Sequence, residues 1–198
     1  MSNAELSYKV VNTQPTPNPD ALKFMMNKPV IKSGTKSFDS KGEAAGDSFA
    51  EALFELSGVR NIYLSEDFVS VTKSMMEEWH DLVEPLQDSI EKNLKLYEDG
   101  GDAAEKGEIT ITPEEYFQRT DEEKAIVIDS LLDSKVRPAL AADGGGLLVH
   151  SVENHIVNIH YQGACGSCPS STSGTLKAIE GILQKSLGPE IQVHTAVF

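Results

Sequence analysis

Cysteine is scarce: the 198-residue chain has two. Two cannot staple a disulfide-rich secreted scaffold. Long apolar runs are missing as well. Nothing approaches the roughly 18–20 consecutive apolar residues of a membrane span, so no membrane partner is expected. The start, MSNAELSYKVVNTQ, has neither an apolar stretch nor an arginine-rich pattern. On that ground no signal or transit peptide is expected, and the expected compartment is the cytoplasm, of a bacterium rather than an organelle precursor. Basic residues number 17 against 31 acids, a formal charge of −14. A nucleic-acid binder needs a basic stripe, so nucleic acid is not expected as a partner either. Aromatics stand at only 7%, but apolar residues at 39% suffice for globular cores. The length suits one domain or two small ones.

The acidity is concentrated. Residues 98–123 hold 10 acids and 2 bases, more than half of the net charge. The segment carries three glycines and few large apolar residues. It reads as a solvated linker, an acidic docking strip for a basic partner being the sharper alternative. Within it, ITITPEEYF at 109–117 allows a short strand or a local anchor. The expected organisation is α+β: a domain over 1–97, an acidic linker over 98–119 and a second domain over 120–198.

In the first domain, YKVVN at 8–12 and ALKFMM at 21–26 have strand composition. Prolines 15, 17 and 19 lie between them and deny three backbone donors, so that stretch is extended or turned. Ser48 and Glu51 fit a capping box that opens a helix with Phe49, Leu53 and Leu56 on one face; Gly58 ends it. Val59–Leu64 and Phe68–Thr72 form a hairpin. An apolar stripe then runs from Met76 through Trp79, Leu82, Leu86 and Ile90 to Tyr97, interrupted by Pro85. Trp79 and His80 read as packing and a solvated imidazole. No reactive constellation is evident, and the domain reads as a recognition or regulatory module.

In the second domain, Thr120 and Glu123 cap a helix whose buried face is Ile128, Leu131, Leu132 and Val136; Pro138 kinks or ends it. Glycines 144–146 make a tight helix-to-strand turn. A phosphate loop is the weaker reading, since no Gly-Lys-Ser/Thr follows and a strand comes next. Two strands, LLVHSV and HIVNIHY, meet at a turn at Glu153-Asn154. The loop QGACGSCPSSTSG follows, then a helix with Leu176, Ile179, Ile182, Leu183 and Leu187 on one side, stopping at Gly188-Pro189. EIQVHTAVF can add an edge strand. The order is α-β-β-α, with the CxxC loop between the second strand and the last helix.

Both cysteines, Cys165 and Cys168, sit in that loop. Two buried small hydrophobes fit poorly, because the flanks are Gly, Ser, Pro and Thr. Two intervening residues let both sulfurs face one point. Ser170, Ser171 or Thr172 can cap the next helix, whose N-terminal amides favour thiolates and so depressed thiol pKa values. Three readings stay open. A dithiol–disulfide oxidoreductase also places CxxC before a helix, but the domain has too few elements for that fold. A zinc site wants four ligands; His155 and His160 are near in sequence but fall on opposite faces of a strand, leaving a zinc-bridged dimer. An iron–sulfur cluster, [2Fe–2S] or [4Fe–4S], takes four thiolates, which two chains supply about a two-fold axis.

The stretch from Asp133 to Leu183 resembles the C-terminal Nfu domain of NifU. The matching marks are Arg137-Pro138, Asp143-Gly144-Gly145, Gly163 and Cys165-x-x-Cys168-Pro169-Ser170-Ser171. TPNPDALKF, with the helix and hairpin after it, resembles the Nfu N-terminal domain. The resemblance implies a non-enzymatic iron–sulfur cluster carrier. It implies a [4Fe–4S] cluster shared by Cys165 and Cys168 of two protomers, a homodimer on cluster binding, an upstream scaffold as donor and apo-protein clients. The cysteine-rich scaffold domain of full-length NifU has no counterpart here, so carrier fits better than assembler.

Overall fold

The computed structural model describes residues 7–100, 111–166 and 171–196. It divides into two compact units, Met1–Ala103 and Ala104–Phe198. Both mix helices and strands, so the fold is α+β. No helix among the described residues is long and apolar enough to cross a membrane.

The first unit is built on strands β1 (Val10–Pro15), β2 (Ala21–Met26), β3 (Thr35–Phe38), β4 (Val59–Ser65) and β5 (Phe68–Lys73). They pair antiparallel in the order β1-β2-β5-β4-β3. Apolar β5 is central and all of its residues are buried. Pro15 ends an edge strand, where a missing donor costs no ladder bond. Strand β3, TKSF, escaped sequence reading because it is short, polar and at the other edge; only Phe38 is buried. Helices α1 (Ser48–Phe54) and α2 (Trp79–Asn93) bring Phe49, Leu53, Leu82, Leu86 and Ile90 into one core with Phe24, Ile62, Leu64, Val69 and Val71. Met76, expected on the α2 stripe, lies ahead of the helix and is exposed. Pro85 lies inside α2 on its exposed side, and the helix continues because Leu82, Leu86 and Ile90 bury the opposite face.

The cap of α1 differs from the Ser48–Glu51 box. Asp47 is the cap, its Oδ1 accepting from the amides of Phe49 (3.2 Å) and Ala50 (3.0 Å). Glu51 instead accepts from the Gly46 amide at 3.0 Å. A carboxylate one residue earlier outcompetes the hydroxyl, since charge strengthens each bond to the helix amides. Asp47 has a second task. The Tyr97 hydroxyl donates to both of its oxygens, at 2.8 and 2.9 Å, while the Tyr97 backbone pairs with Val30 and Lys32. The end of the unit is thereby fastened to the start of α1.

The second unit runs α3 (Pro113–Phe117), α4 (Asp121–Lys135), α5 (Arg137–Ala142), β6 (Gly145–Glu153), β7 (Ile156–Gly163), α6 (Ser171–Leu187) and β8 (Gln192–Thr195). Strand β7 is central, antiparallel to β6 and parallel to β8. Thr120 and Glu123 form the expected capping box. The chain breaks at Val136, and Pro138 sits in the first turn of α5, where it needs no donor. Asn154 supplies the positive φ (57°) of the β6–β7 turn. Within segment 109–117, Pro113–Phe117 acts as the anchor, in the form of a helix. Thr112 and Glu115 cap α3, and Tyr116 is fully buried among Ile128, Leu132, Leu183 and Leu187.

Two predictions follow from these tethers. Asp47→Ala removes the cap and the Tyr97 anchor together and should destabilise the chain by about 2 kcal/mol, against about 1 kcal/mol for Tyr97→Phe, in urea unfolding. The hydroxyls of Tyr116 and Tyr161 have no hydrogen-bond partner among the described residues. Burial, then the charge of Asp121 or Cys165, pushes each up to about 12. The folded value thus lies above the unfolded one of about 10, so this contribution is whole below about pH 10 and is lost as pH rises through the window. Thermal melts should show Tm falling there, and substituting phenylalanine at both positions should flatten the fall.

Candidate functional site

Cys165 lies in the turn that follows β7. Gly163 ends the strand with a φ of 60°, and the Gly166 amide donates to the Gly163 carbonyl at 3.1 Å to close the turn. The turn is clamped to the α5–β6 connection. The Ala164 amide donates to the Gly144 carbonyl at 3.2 Å, and Gly145 stands opposite Gly163 in the ladder. Gly144 itself has a φ of 79°.

Gly145 is where the two connections touch. A Cβ there would lie 2.7 Å from the Cys165 Sγ, 2.7 Å from its amide nitrogen and 2.6 Å from the Gln162 carbonyl oxygen. No side chain fits, so the cysteine sits directly on the glycine backbone. Cys165 is only 4% exposed and belongs to the core that holds Leu147, Ile159 and Tyr161. The glycine run is therefore the helix-to-strand turn read from sequence and also the floor under a cysteine some twenty positions away. The phosphate-loop alternative gains nothing: a strand follows, and Gly145 lies against the thiol.

Arg137 holds that floor in place. Its Nε donates to the Leu147 carbonyl at 3.2 Å, its Nη1 to Asp133 at 2.6 Å and its Nη2 to Asp129. One guanidinium thus joins α4, α5 and the start of β6, two residues from Gly145. Burial works against its charge, and the two carboxylates more than offset this, so its pKa is raised. Sequence reading noted Arg137-Pro138 without a role. The spacing Asp129, Asp133, Arg137 was the available clue, because residues four apart share a helix face.

Cys168 lies outside the described residues, as do the side chains of Ser170, Ser171 and Thr172, so the expected meeting of two sulfurs and the capping of α6 fall there too. His155 packs edge-on against Phe117, with ring centroids 5.1 Å apart. His160 is half-buried on β7. No group of three or more His, Cys, Asp or Glu comes together among the described residues in a way that could hold a metal. Trp79 donates to the Pro19 carbonyl at 2.9 Å, and His80 stays exposed, in keeping with packing and a solvated imidazole.

Two family models match the chain. Residues 11–96 match the N-terminal domain of the scaffold proteins Nfu and NifU. Residues 128–194 match the NifU-like domain. The chain belongs to the Nfu/NifU scaffold-protein family.

Among curated relatives, the human NFU1 iron-sulfur cluster scaffold homolog, mitochondrial, is 33% identical over 190 residues, covering 93% of this chain and 70% of that protein. The homolog of the same name from Drosophila ananassae is 32% identical, covering 95% of this chain and 64% of the relative. NifU-like protein 5, mitochondrial, from Arabidopsis thaliana is 33% identical, covering 87% and 62%. The chain thus spans about two thirds of these relatives' lengths. Among solved structures, a NifU-like protein from Saccharomyces cerevisiae aligns with a TM-score of 0.37 and 25% identity, over 41% of this chain and 74% of that one. The assignment rests on the sequence matches. The family is one of scaffold or carrier proteins, not enzymes, which sets aside the oxidoreductase reading.

One expectation is corrected. The cytoplasmic, bacterial placement is overturned, because the human, fly and plant relatives are all named as mitochondrial. That expectation rested on the composition of the first residues, which is a poor guide to a compartment.

The contact at Gly145 yields a prediction. Gly145→Ala should lower Tm by the equivalent of about 1–3 kcal/mol, the range for forced overpacking. It should also speed labelling of Cys165 by a thiol reagent in the Cys168→Ser background, because the sulfur must leave its seat.

Proposed function

We propose that this chain is an iron–sulfur cluster carrier, with Cys165 and Cys168 of two copies holding one [4Fe–4S] cluster and releasing it to apo-proteins. The observation that carries the reading is the seat of Cys165. Backbone on two connections presses a single thiol into a fixed place, three positions before the only other cysteine of the sequence. Thiolates are the soft ligands that iron–sulfur clusters take, usually four at a time. One chain offers two, so a second copy about a two-fold axis completes the set. The names of the human and plant relatives support the cluster. On this reading residues 120–198, with α3 packed on them, form the cluster-binding domain. Residues 1–97 form a recognition module, and the acidic residues 98–119 contain the linker. An upstream scaffold supplies the cluster, and apo iron–sulfur proteins accept it.

Anaerobic reconstitution with ferrous iron and sulfide should give a brown protein with about four irons per dimer. Half that iron, with the matching spectrum, would assign a [2Fe–2S] cluster instead. Cys165→Ser and Cys168→Ala should each abolish iron binding and leave the circular dichroism unchanged; unaltered iron content in either variant rejects the proposal. The apo chain should be folded and monomeric and should dimerise on loading, because only the cluster links the copies. Zinc in place of iron after anaerobic purification would favour a zinc-bridged dimer.

A further inference from the structure

Met75 and Met76 are 85% and 92% exposed, side by side on the loop between β5 and α2. Single exposed apolar side chains are ordinary; two adjoining ones close in sequence to an aromatic stand out. Half-buried Trp79 is four positions after Met75, and its indole N–H donates to the carbonyl of exposed Pro19 at 2.9 Å. The support beneath is rigid. The Lys73 Nζ pairs with Asp20 at 2.7 Å and lies 5.6 Å from the Trp79 ring centroid. The Ser74 amide donates to the Gly58 carbonyl at 2.6 Å, and the Met76 amide donates to the Ser74 hydroxyl at 3.3 Å. The loop is held from both sides while its two thioethers stand in solvent.

The exposed side of α2 beyond the loop is mostly acidic. Asp81, Glu84 and Asp88 lie along the exposed side of α2, opposite buried Leu82, Leu86 and Ile90, and exposed Glu78 stands just before its start. No Lys or Arg occurs between Lys73 and Lys92, and Lys73 is already paired with Asp20. Lys9 pairs with Glu91 near the far end of α2, and exposed His80 has its Nε2 3.1 Å from Asp81.

We propose that this surface docks a basic amphipathic helix of a partner protein. Its apolar residues lie on Met75, Met76 and Trp79, and its Lys and Arg residues run beside Glu78, Glu84 and Asp88. Methionine suits such a role because its flexible, polarizable side chain adapts to varied apolar partners. The acidic stripe runs about 15 Å along the α2 axis, the length of nearly three turns of a partner helix. A second copy of this chain is the poorer occupant, since two such stripes repel.

The test uses the full chain and its single tryptophan, Trp79, as reporter. The probe is a synthetic amphipathic helical peptide of leucine and lysine, titrated by tryptophan fluorescence and by calorimetry. Saturable one-to-one binding is expected. Met75→Ser/Met76→Ser should weaken it at least about tenfold, as loss of apolar anchors does. Glu78→Gln/Glu84→Gln/Asp88→Asn should weaken it and flatten its salt dependence. These side chains are exposed, and circular dichroism should report an unchanged fold. Cys165→Ser should bind the peptide as the unaltered chain does, which separates this surface from the cluster site. Undiminished binding by the methionine variant would place the peptide elsewhere, on the acidic segment 98–123 for instance, and overturns the proposal. So does the absence of saturable binding.

Discussion

The second unit depends on a contact with no room in it. The sulfur of Cys165 rests where a side chain at residue 145 would begin. Everything around that contact keeps two backbone segments together. The Ala164–Gly144 hydrogen bond clamps the connections, the Gly145–Gly163 pair sets the register, and Arg137 ties the neighbouring strand to two helices. Close packing makes such a seat specific, because a core cannot absorb an added methyl without moving something. On the proposed function, a thiolate that must meet a second copy's ligands at one cluster needs that precision on its own side first.

The first unit solves a different problem with similar means. It holds no cysteine and no cluster of metal-binding groups among its described residues. Its polar effort goes into fastening loops. Asp47 caps α1 and receives the Tyr97 hydroxyl, and Lys73 and Trp79 secure the proline-rich turn at 16–20. Each tether satisfies polar groups that burial would otherwise leave costly. The surface they support is acidic and carries the exposed methionines.

Much of this was legible in the chain. The strand at 21–26, the hairpin at 59–72, the box at Thr120–Glu123, the turn at Asn154 and the stop at Gly188 all appear as local composition predicts. The signals that failed were local competitions. Asp47 displaced Ser48 as cap, Met76 dropped out of the α2 stripe, and β3 had too little apolar content to be seen. For the cap and for β3 the winning term, a charge at a helix start or a partner strand alongside, belongs to geometry that one-dimensional periodicity does not contain.

By itself the sequence determined the candidate ligands, two thiols three positions apart in a glycine-rich stretch, and a match to one scaffold family across most of the chain. It did so because ligand type and short spacing are local properties. Only the tertiary structure decided what the glycines after Asp143 are for, what Arg137 holds, and that Tyr116 anchors an acidic stretch to the core. Those roles arise from contacts between residues far apart in the chain, where the exclusion of one methyl or the placing of one guanidinium becomes visible only once the backbone has closed on itself.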